Sequence, residues 1–445
     1  MTPKTSPLTA KSETFLKGSL TASIWRAFSF ETGDFLLHVP SAHVIEVSRD
    51  LAACARGASR DPELLAQLAH LDAALPRPRS RVIEVDIQTV SLNMAQGCNL
   101  RCTYCFAGEG DYGSKGMMSH ATAVEALNLL SLGKKNFHVI FFGGEPLLNF
   151  SVIQSVVQWC KTQPCTYTFS MTTNATLLTT EKLAWLTEQN FALTISYDGR
   201  GVHAKQRLNK DKTSNSEALV TRKLEVFREK LGELRQLRLR ATVTKATLDH
   251  VEEAIVATLS SHDYRLAVAR HADNMQAFAF SDEDIAKLSA ITSKIVDTLL
   301  AQKDYKRLTR FENIMKTVHA IHRGHTHKML CGAGVHYLTC SVSGSFYLCH
   351  RFNEDESEHY GDIHQGLNLE KLKKIAAFRG RTVDPCGSCW MRQWCAGGCF
   401  HEHKAATGDK FLLDPHFCQM QAIEMEQAMR VYTHLLQEAP EYLER

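Results

Sequence analysis

Short apolar or alternating runs recur along the middle of this chain near residues 90–94, 137–142, 166–172, 191–196, 236–243 and 264–269. Between them lie longer stretches with helical spacing, at 119–132, 150–161, 179–188, 216–231 and 247–260. Strands that alternate with helices predict βαβ units and a parallel sheet, and in such sheets chemistry gathers at the C-terminal ends of the strands. Upstream, Trp25 to Phe30 and Phe35 to Val39 read as two strands around the turn Glu31-Thr32-Gly33-Asp34, with Val44 to Val47 as a third. Asp50 to Leu75 reads as two short helices. Pro76-Arg77-Pro78-Arg79 reads as a linker, after which Val82 to Ile87 leads into the sheet.

Composition narrows the class. The 445 residues are enough for two or three domains, and 44% hydrophobic content is ample for real cores. A net charge of +3 gives no global field for nucleic acid or an acidic membrane surface. No apolar stretch approaches the roughly 20 residues needed to cross a bilayer, and Met1 to Gly18 is polar, without a signal-peptide core. A cytoplasmic protein is expected, with no nucleic acid or membrane as partner. In that setting 14 cysteines point to metal ligation more than to disulfides.

Three of them form the run Cys98-Asn99-Leu100-Arg101-Cys102-Thr103-Tyr104-Cys105. Thiolates at this spacing can hold three irons of a 4Fe-4S cube, and with no further Cys until Cys160 the fourth iron is left for a small molecule. Zinc is the alternative, although it favours paired knuckles closed by a second pair. Downstream, Gly143-Gly144-Glu145-Pro146 follows the apolar run His138-Val139-Ile140-Phe141-Phe142. Its glycines allow close backbone approach, and its carboxylate suits an ammonium group.

The C-x3-C-x-Tyr-C run followed by GGEP resembles the signature of the radical S-adenosylmethionine (SAM) superfamily. The resemblance implies a partial (β/α)6 TIM-like barrel, and an open iron that chelates SAM and splits it into methionine and a 5'-deoxyadenosyl radical. It also implies roles for residues on one rim: Gly143, Gly144 and Glu145 at the methionyl amine, Tyr104 by the adenine, and Ser196, with Asp198 beside it, near the ribose or carboxylate. Asn174 ends the third strand on the same rim. Arg240 would pair the SAM carboxylate through its forked donors. For Ser196 and Asn174 ordinary turn chemistry is the alternative. For Arg240 it is a solvated strand face shared with Arg238. The basic run Arg200 to Lys212, with His203, Lys205, Arg207, Lys210 and Lys212, is expected as a solvated surface before a substrate loop.

Eight further cysteines lie between Cys331 and Cys418, enough for two more cubes. Cys386-x2-Cys389-x5-Cys395-x3-Cys399, with Gly397-Gly398, and the upstream Cys331-x12-Gly344-x4-Cys349 resemble the SPASM domain of radical SAM peptide maturases. The resemblance places Cys331, Cys340, Cys349 and Cys399 at auxiliary cluster I and Cys386, Cys389, Cys395 and Cys418 at cluster II. Cys340 is either a ligand or a strand residue that leaves one auxiliary iron open to a substrate thiolate. Cys54, Cys160 and Cys165 read as packing or surface thiols.

The expected domains are a leader-recognition-like, winged-helix-like unit over 20–77, the barrel over 82–325, the SPASM domain over 326–420 and a C-terminal helix over 421–445. The first would bind an extended leader peptide by strand addition, although a generic N-terminal cap has the same pattern. The run Cys105-Phe106-Ala107-Gly108-Glu109-Gly110-Asp111-Tyr112-Gly113 resembles the thioether-forming maturases of ribosomal peptides, including those of six-cysteine peptides and of the quinohemoprotein amine dehydrogenase small subunit. The implied enzyme joins a peptide carbon to a Cys sulfur, with a flavodoxin or ferredoxin as electron donor. Carbon-carbon crosslinking and epimerisation start the same way. Anaerobic sulfatase maturases, which form formylglycine, carry Asp after the cysteine matching Cys349, where this chain has His350. That histidine is a candidate base or proton carrier, with a structural role beside a cluster as the alternative. A non-enzymatic Fe-S carrier or redox sensor would need neither the GGEP turn nor a three-ligand cluster.

Overall fold

Six parallel strands carry the alternation expected from the sequence: β1 (Thr89–Gln96), β2 (Asn136–Gly143), β3 (Thr166–Thr173), β4 (Ala192–Ser196), β5 (Gln236–Val243) and β6 (Arg265–Arg270). They lie side by side in the order 6-5-4-3-2-1. Helices His120–Ser131, Phe150–Lys161, Thr180–Glu188, Glu217–Val226 with Arg228–Gly232, and Leu248–Ser261 connect them in turn. This is a partial (β/α)6 barrel. Four later strands extend it: β7 (Tyr337–Cys340) runs parallel beside β1, and β8 (Ser345–Tyr347), β9 (His359–Asp362) and β10 (Gly366–Leu367) follow antiparallel in turn. The computed structural model describes residues 24–77, 83–261, 265–270, 279–327, 329–378 and 385–444. Met1 to Gly18, Pro78 and Arg79 of the expected linker, and Val82 at the start of the run that leads into the sheet lie outside the described residues.

The two faces of the barrel sheet differ in kind. Leu92, Val139, Phe141, Met171, Leu193, Ile195 and Leu239 occupy one face and are buried, as are helix residues such as Leu127, Ile153, Val156 and Leu183. The intervening positions on the opposite face are mostly polar: Ser91 and Asn93 on β1, His138 on β2, Ser170 and Thr172 on β3, Thr194 and Ser196 on β4, Arg238 and Arg240 on β5. Strand register sets Asn93 beside Phe142, Thr172 beside Thr194 and Ser196 beside Arg240. His138 ties the layer together, bonding Thr168 Oγ1 at 2.8 Å and Ser170 Oγ at 2.9 Å. Parallel strands are ordinarily apolar on both faces, so a polar interior marks a chamber rather than a packed core.

The chain divides into two compact units. Ile83–Ala279 and Cys331–Ala377 make up the barrel unit, and the described residues of Met1–Val82, Phe280–Leu330 and Phe378–Arg445 make up the other. In the second unit the antiparallel strands Trp25–Phe30, Gly33–His38 and His43–Val47 form a three-stranded sheet. Helix Arg49–Ala55 begins at Ser48, whose hydroxyl accepts from Leu51 N. Asp61 caps Pro62–Ala74 by accepting from Glu63 N and Leu64 N. Phe28, Leu37 and Val39 of this sheet share one apolar core with Trp390, Trp394, Met425 and Met429, and with Cys389, Cys395 and Cys418.

Phe141 shows what the barrel's helix-facing layer contributes. It is fully buried and lies 6.1 Å from the Phe169 ring and 5.7 Å from the Phe191 ring. Phe141→Ala should lower stability by about 3–5 kcal/mol, seen as a fall in the urea midpoint with secondary structure retained.

Candidate active site

The loop that carries the first three cysteines is built into the barrel by strand pairing. Leu100–Cys102 pairs antiparallel with Arg207–Asn209, which sets Cys102 opposite Arg207. Arg207 is buried, and so is Asp198 just past the end of β4. Asp198 accepts Arg207 Nε at 2.9 Å on one oxygen and Arg207 Nη2 at 3.1 Å on the other. The same carboxylate accepts Tyr104 Oη at 3.0 Å, Gln206 Nε2 at 3.2 Å and the backbone N–H of Thr242 at 2.9 Å. The Arg207 guanidinium stands 5.3 Å from the centre of the Tyr104 ring. Burial is the largest influence on the Arg207 pKa and works to lower it, but Asp198, Tyr104 and Cys102 together hold it above the ordinary value. Asp198 and Tyr104, both expected at SAM, are thus engaged with each other, and five protein donors surround the carboxylate.

The GGEP turn grips the loop from another side. A Cβ at Gly143 would stand 2.5 Å from Ala95 O and 2.6 Å from Asn93 Oδ1, and one at Gly144 would stand 2.3 Å from both Gly97 O and Gly110 O. Only glycine lets this strand tip pass so close to the cysteine loop. Glu145 is fully buried. Its Oε1 accepts Thr173 Oγ1 at 2.7 Å and Leu147 N at 3.0 Å, and its Oε2 accepts Asn174 N at 2.8 Å. Burial pushes the Glu145 carboxyl up despite these three donors. Asn174 extends the grip, with its Nδ2 3.0 Å from Asn99 Oδ1 and 3.7 Å from Cys98 Sγ.

Burial pushes the thiols of Cys98 and Cys102 up, to about 11 and about 12, and raises Cys105 as well. Cys98 interacts electrostatically with Cys102, and Cys105 with both. Three thiolates in such a place need a strongly cationic centre beside them, which is what an iron-sulfur cube supplies. Among the described residues no three His, Cys, Asp or Glu converge as ligands of a single ion do. Cubane ligands are spread more widely.

Beyond the loop, the polar face is closed by aromatic rings and by His350. The His350 ring lies 4.5 Å from Phe142 and 5.9 Å from Phe106, and its Nδ1 is 2.8 Å from Tyr337 Oη. Burial, then the charges of Arg351 and Arg240, pushes His350 down to about 3. Tyr112, from the run after Cys105, packs edge-on against Phe106 at 6.0 Å. Its phenol is held well above its usual pKa by burial, then by Cys105, Tyr337, Cys349 and Cys98. Cys349 is half-buried and Cys331 exposed. Cys340 is placed differently: fully buried, it shares the apolar face with Leu338 and with Leu92 across the register, and donates to Ser341 O at 3.6 Å.

In the second unit four thiols act on one another. Burial, then Cys395, Cys386 and Cys389, holds the Cys418 thiol well above its ordinary pKa. The indole N–H groups of Trp390 and Trp394 are buried there with no hydrogen-bond partner among the described residues, as donors beside cluster sulfurs would be. Cys399, at the start of helix Phe400–Thr407, packs against the same core. Cys54, Cys160 and Cys165 are buried, and Cys54 packs with Leu36, Leu51 and Leu68.

Two residues expected on a solvated surface, His203 and Arg207, are instead buried. The correction has a local cause: Arg207 lies on the strand that pairs with the cysteine loop, and its neighbour Gln206 reaches Thr244, Asp198 and Thr242 O. Asn93, Phe142 and Tyr112 carried no individual signal in the sequence beyond strand alternation and the position of Tyr112 in a glycine-rich run.

Residues 92–234 match the model of the radical SAM superfamily. An uncharacterised protein of Methanocaldococcus jannaschii is 33% identical over 110 residues, a match covering 24% of this chain and 37% of that protein. PqqA peptide cyclase of Rhodopseudomonas palustris is 24% identical over 335 residues, 73% of this chain and 85% of that one. Among solved structures, native anSMEcpe with bound AdoMet and the Kp18Cys peptide has a TM-score of 0.63 at 19% identity, covering 77% of this chain and 97% of that one. Residues 92–234 are thus a radical SAM domain, and the chain is an enzyme whose relatives include a peptide cyclase. That family implies SAM and one 4Fe-4S cluster as cofactors, and the triad Cys98, Cys102 and Cys105 fits the cluster. No described helix is long and apolar enough to cross a membrane.

Asp198→Ala should cost about 3–5 kcal/mol by leaving Arg207 buried without its carboxylate. The double variant with Arg207→Met should recover part of that loss in the same urea titration. A second expectation concerns pH. His203 is fully buried and hydrogen-bonded to Ser216 Oγ at 2.9 Å, and burial, then Arg207, pushes it down to about 3. Its folded pKa lies below the unfolded value of about 6.5, so its contribution is complete above that pH and is lost as pH falls toward 3. The urea midpoint should therefore drop between pH 7 and pH 4, and His203→Gln should flatten that drop.

Proposed function

We propose that this enzyme modifies a ribosomally made peptide by hydrogen abstraction and joins a Cys sulfur to a peptide carbon. The carrying observation is the cysteine loop, clamped at the rim of a barrel whose interior face is polar. The relatives support the substrate class: one is a peptide cyclase, and one solved neighbour holds a peptide together with AdoMet. When bound, SAM and the reduced cluster supply a 5'-deoxyadenosyl radical.

The chain's own residues orient the reaction. Gly143 and Gly144 offer backbone at the rim, with Glu145 fixing the turn from behind. Ser196 and Arg240, neighbours across the β4–β5 register, hold the ribose and carboxylate of SAM. Asn174 steadies the loop at Cys98. His350, its Nδ1 bonded to Tyr337 Oη, lines the substrate space as a neutral hydrogen-bonding group; with burial pushing it down to about 3 it does not hold a thiol's proton, so the structural role takes precedence over that of a base. The C-terminal cysteines, with Cys340 left to the core, would hold two auxiliary 4Fe-4S clusters, whose chemistry would be to accept the surplus electron. A flavodoxin or ferredoxin reduces the enzyme, which works in the cytoplasm. The edge strands of the three-stranded sheet Trp25–Val47 receive a leader segment through backbone hydrogen bonds.

Anaerobic incubation of the reconstituted enzyme with dithionite, SAM and the peptide of a short Cys-rich reading frame beside its gene tests this reading. It should yield 5'-deoxyadenosine and a peptide lighter by two hydrogens with one alkylatable thiol fewer. Cys102→Ala should abolish both products. Deuterium uptake without mass loss in ordinary water would mean epimerisation instead. Iron should reach about 12 per chain with three cubes and fall by about a third in the triple variant of Cys98, Cys102 and Cys105.

A further inference from the structure

Asn93 is 2% exposed, yet neither its Nδ2 nor its Oδ1 has a hydrogen-bond partner among the described residues. A buried carboxamide left this way costs about 1–3 kcal/mol for each unmet group. Nothing in its own strand requires it, because Leu would fill the position without that cost. Register places it beside Phe142, whose ring meets His350. Oδ1 lies where a Cβ on Gly143 would collide with it, so the missing side chain at Gly143 is what leaves the carboxamide its position at the rim.

Tyr112, packed against Phe106, repeats the anomaly. Its hydroxyl is buried without a partner among the described residues. Its backbone sits at φ 57°, in the left-handed region that a non-glycine residue rarely occupies. Backbone strain held in place at a buried, unmet hydroxyl is characteristic of functional positions. The ring-to-ring path Tyr112, Phe106, His350, Phe142 joins the two residues along one wall.

We infer that Asn93 and Tyr112 form a subsite for a main-chain amide of the peptide substrate, next to the residue that loses its hydrogen. A carboxamide offers a donor and an acceptor together, the complement of a peptide C=O and N–H, and a phenol adds one more of either kind. Both groups are neutral, which suits an amide better than the carboxylate or ammonium of SAM. Each lies beside a ring, Phe142 or Phe106, that meets His350 at the rim carrying the cysteine loop. The inference rests on the reading of the substrate as a peptide. Both are positioning residues: they fix which side chain faces the radical.

The test uses the reconstituted holoenzyme, with N-acetyl-cysteine-N'-methylamide as a probe that carries two peptide groups and a thiol. Without SAM, Asn93→Leu and Tyr112→Phe should each raise the melting midpoint, by ~2–4 °C where an unmet group is removed. Each variant should keep the change that SAM produces in the cluster EPR spectrum. Each should bind the probe roughly threefold to tenfold more weakly than wild type, the effect of one lost hydrogen bond. A lowered midpoint in both variants would make the groups structural, loss of the SAM response would give the subsite to SAM, and unchanged probe affinity would leave it with no amide to hold. Each of these overturns the inference. A wild-type enzyme that forms 5'-deoxyadenosine yet shows no response to the probe sinks the peptide reading itself, and the subsite with it.

Discussion

One buried carboxylate holds the catalytic end of this protein together. Asp198 collects Arg207, Tyr104, Gln206 and the backbone of Thr242, and through them joins β4, β5 and the cysteine loop. Arg207 is tolerable in the interior only because that carboxylate pairs with it through two parallel hydrogen bonds. The pairing in turn keeps the strand Arg207–Asn209 against Leu100–Cys102. The GGEP turn and Asn174 fix the other side of the loop, so its thiols are set by contacts on both flanks.

The barrel sheet divides its two tasks by side-chain parity. One set of alternate positions is apolar and carries the helices. The other set is polar and is left for chemistry. A parallel sheet with a wet inner face forgoes half the burial it might have had, so the helix-facing layer around Phe141 must supply the stability alone. Rings such as Phe106, Phe142 and Tyr337 then narrow the polar space around His350, where lower dielectric strengthens each hydrogen bond that a substrate makes.

Much of this was legible in the sequence. Period-two runs and helical spacing located all six strands within a residue or two, and the cysteine and glycine spacing located the rim. Less legible was what each polar residue does once there. Asp198 and Glu145 look like ligand-binding carboxylates in sequence, yet both accept several protein donors, and partners up to 94 residues away are a property of topology rather than of local pattern. Arg207 sits in a basic run that reads as solvated, and only its pairing with the cysteine loop reveals it as buried. The role of Cys340 depends on strand parity: with Leu338 on the apolar face, its thiol turns away from the polar one, which spacing to Cys331 alone does not show.

The clamps on the cysteine loop have a consequence for how the protein survives damage. In a zinc finger the metal is the scaffold, and its removal unfolds the domain. Here carboxylate, amide and glycine contacts hold the loop without any contribution from iron. The contacts that shape this socket are therefore the chain's own, and damage to a cluster does not by itself break any of them.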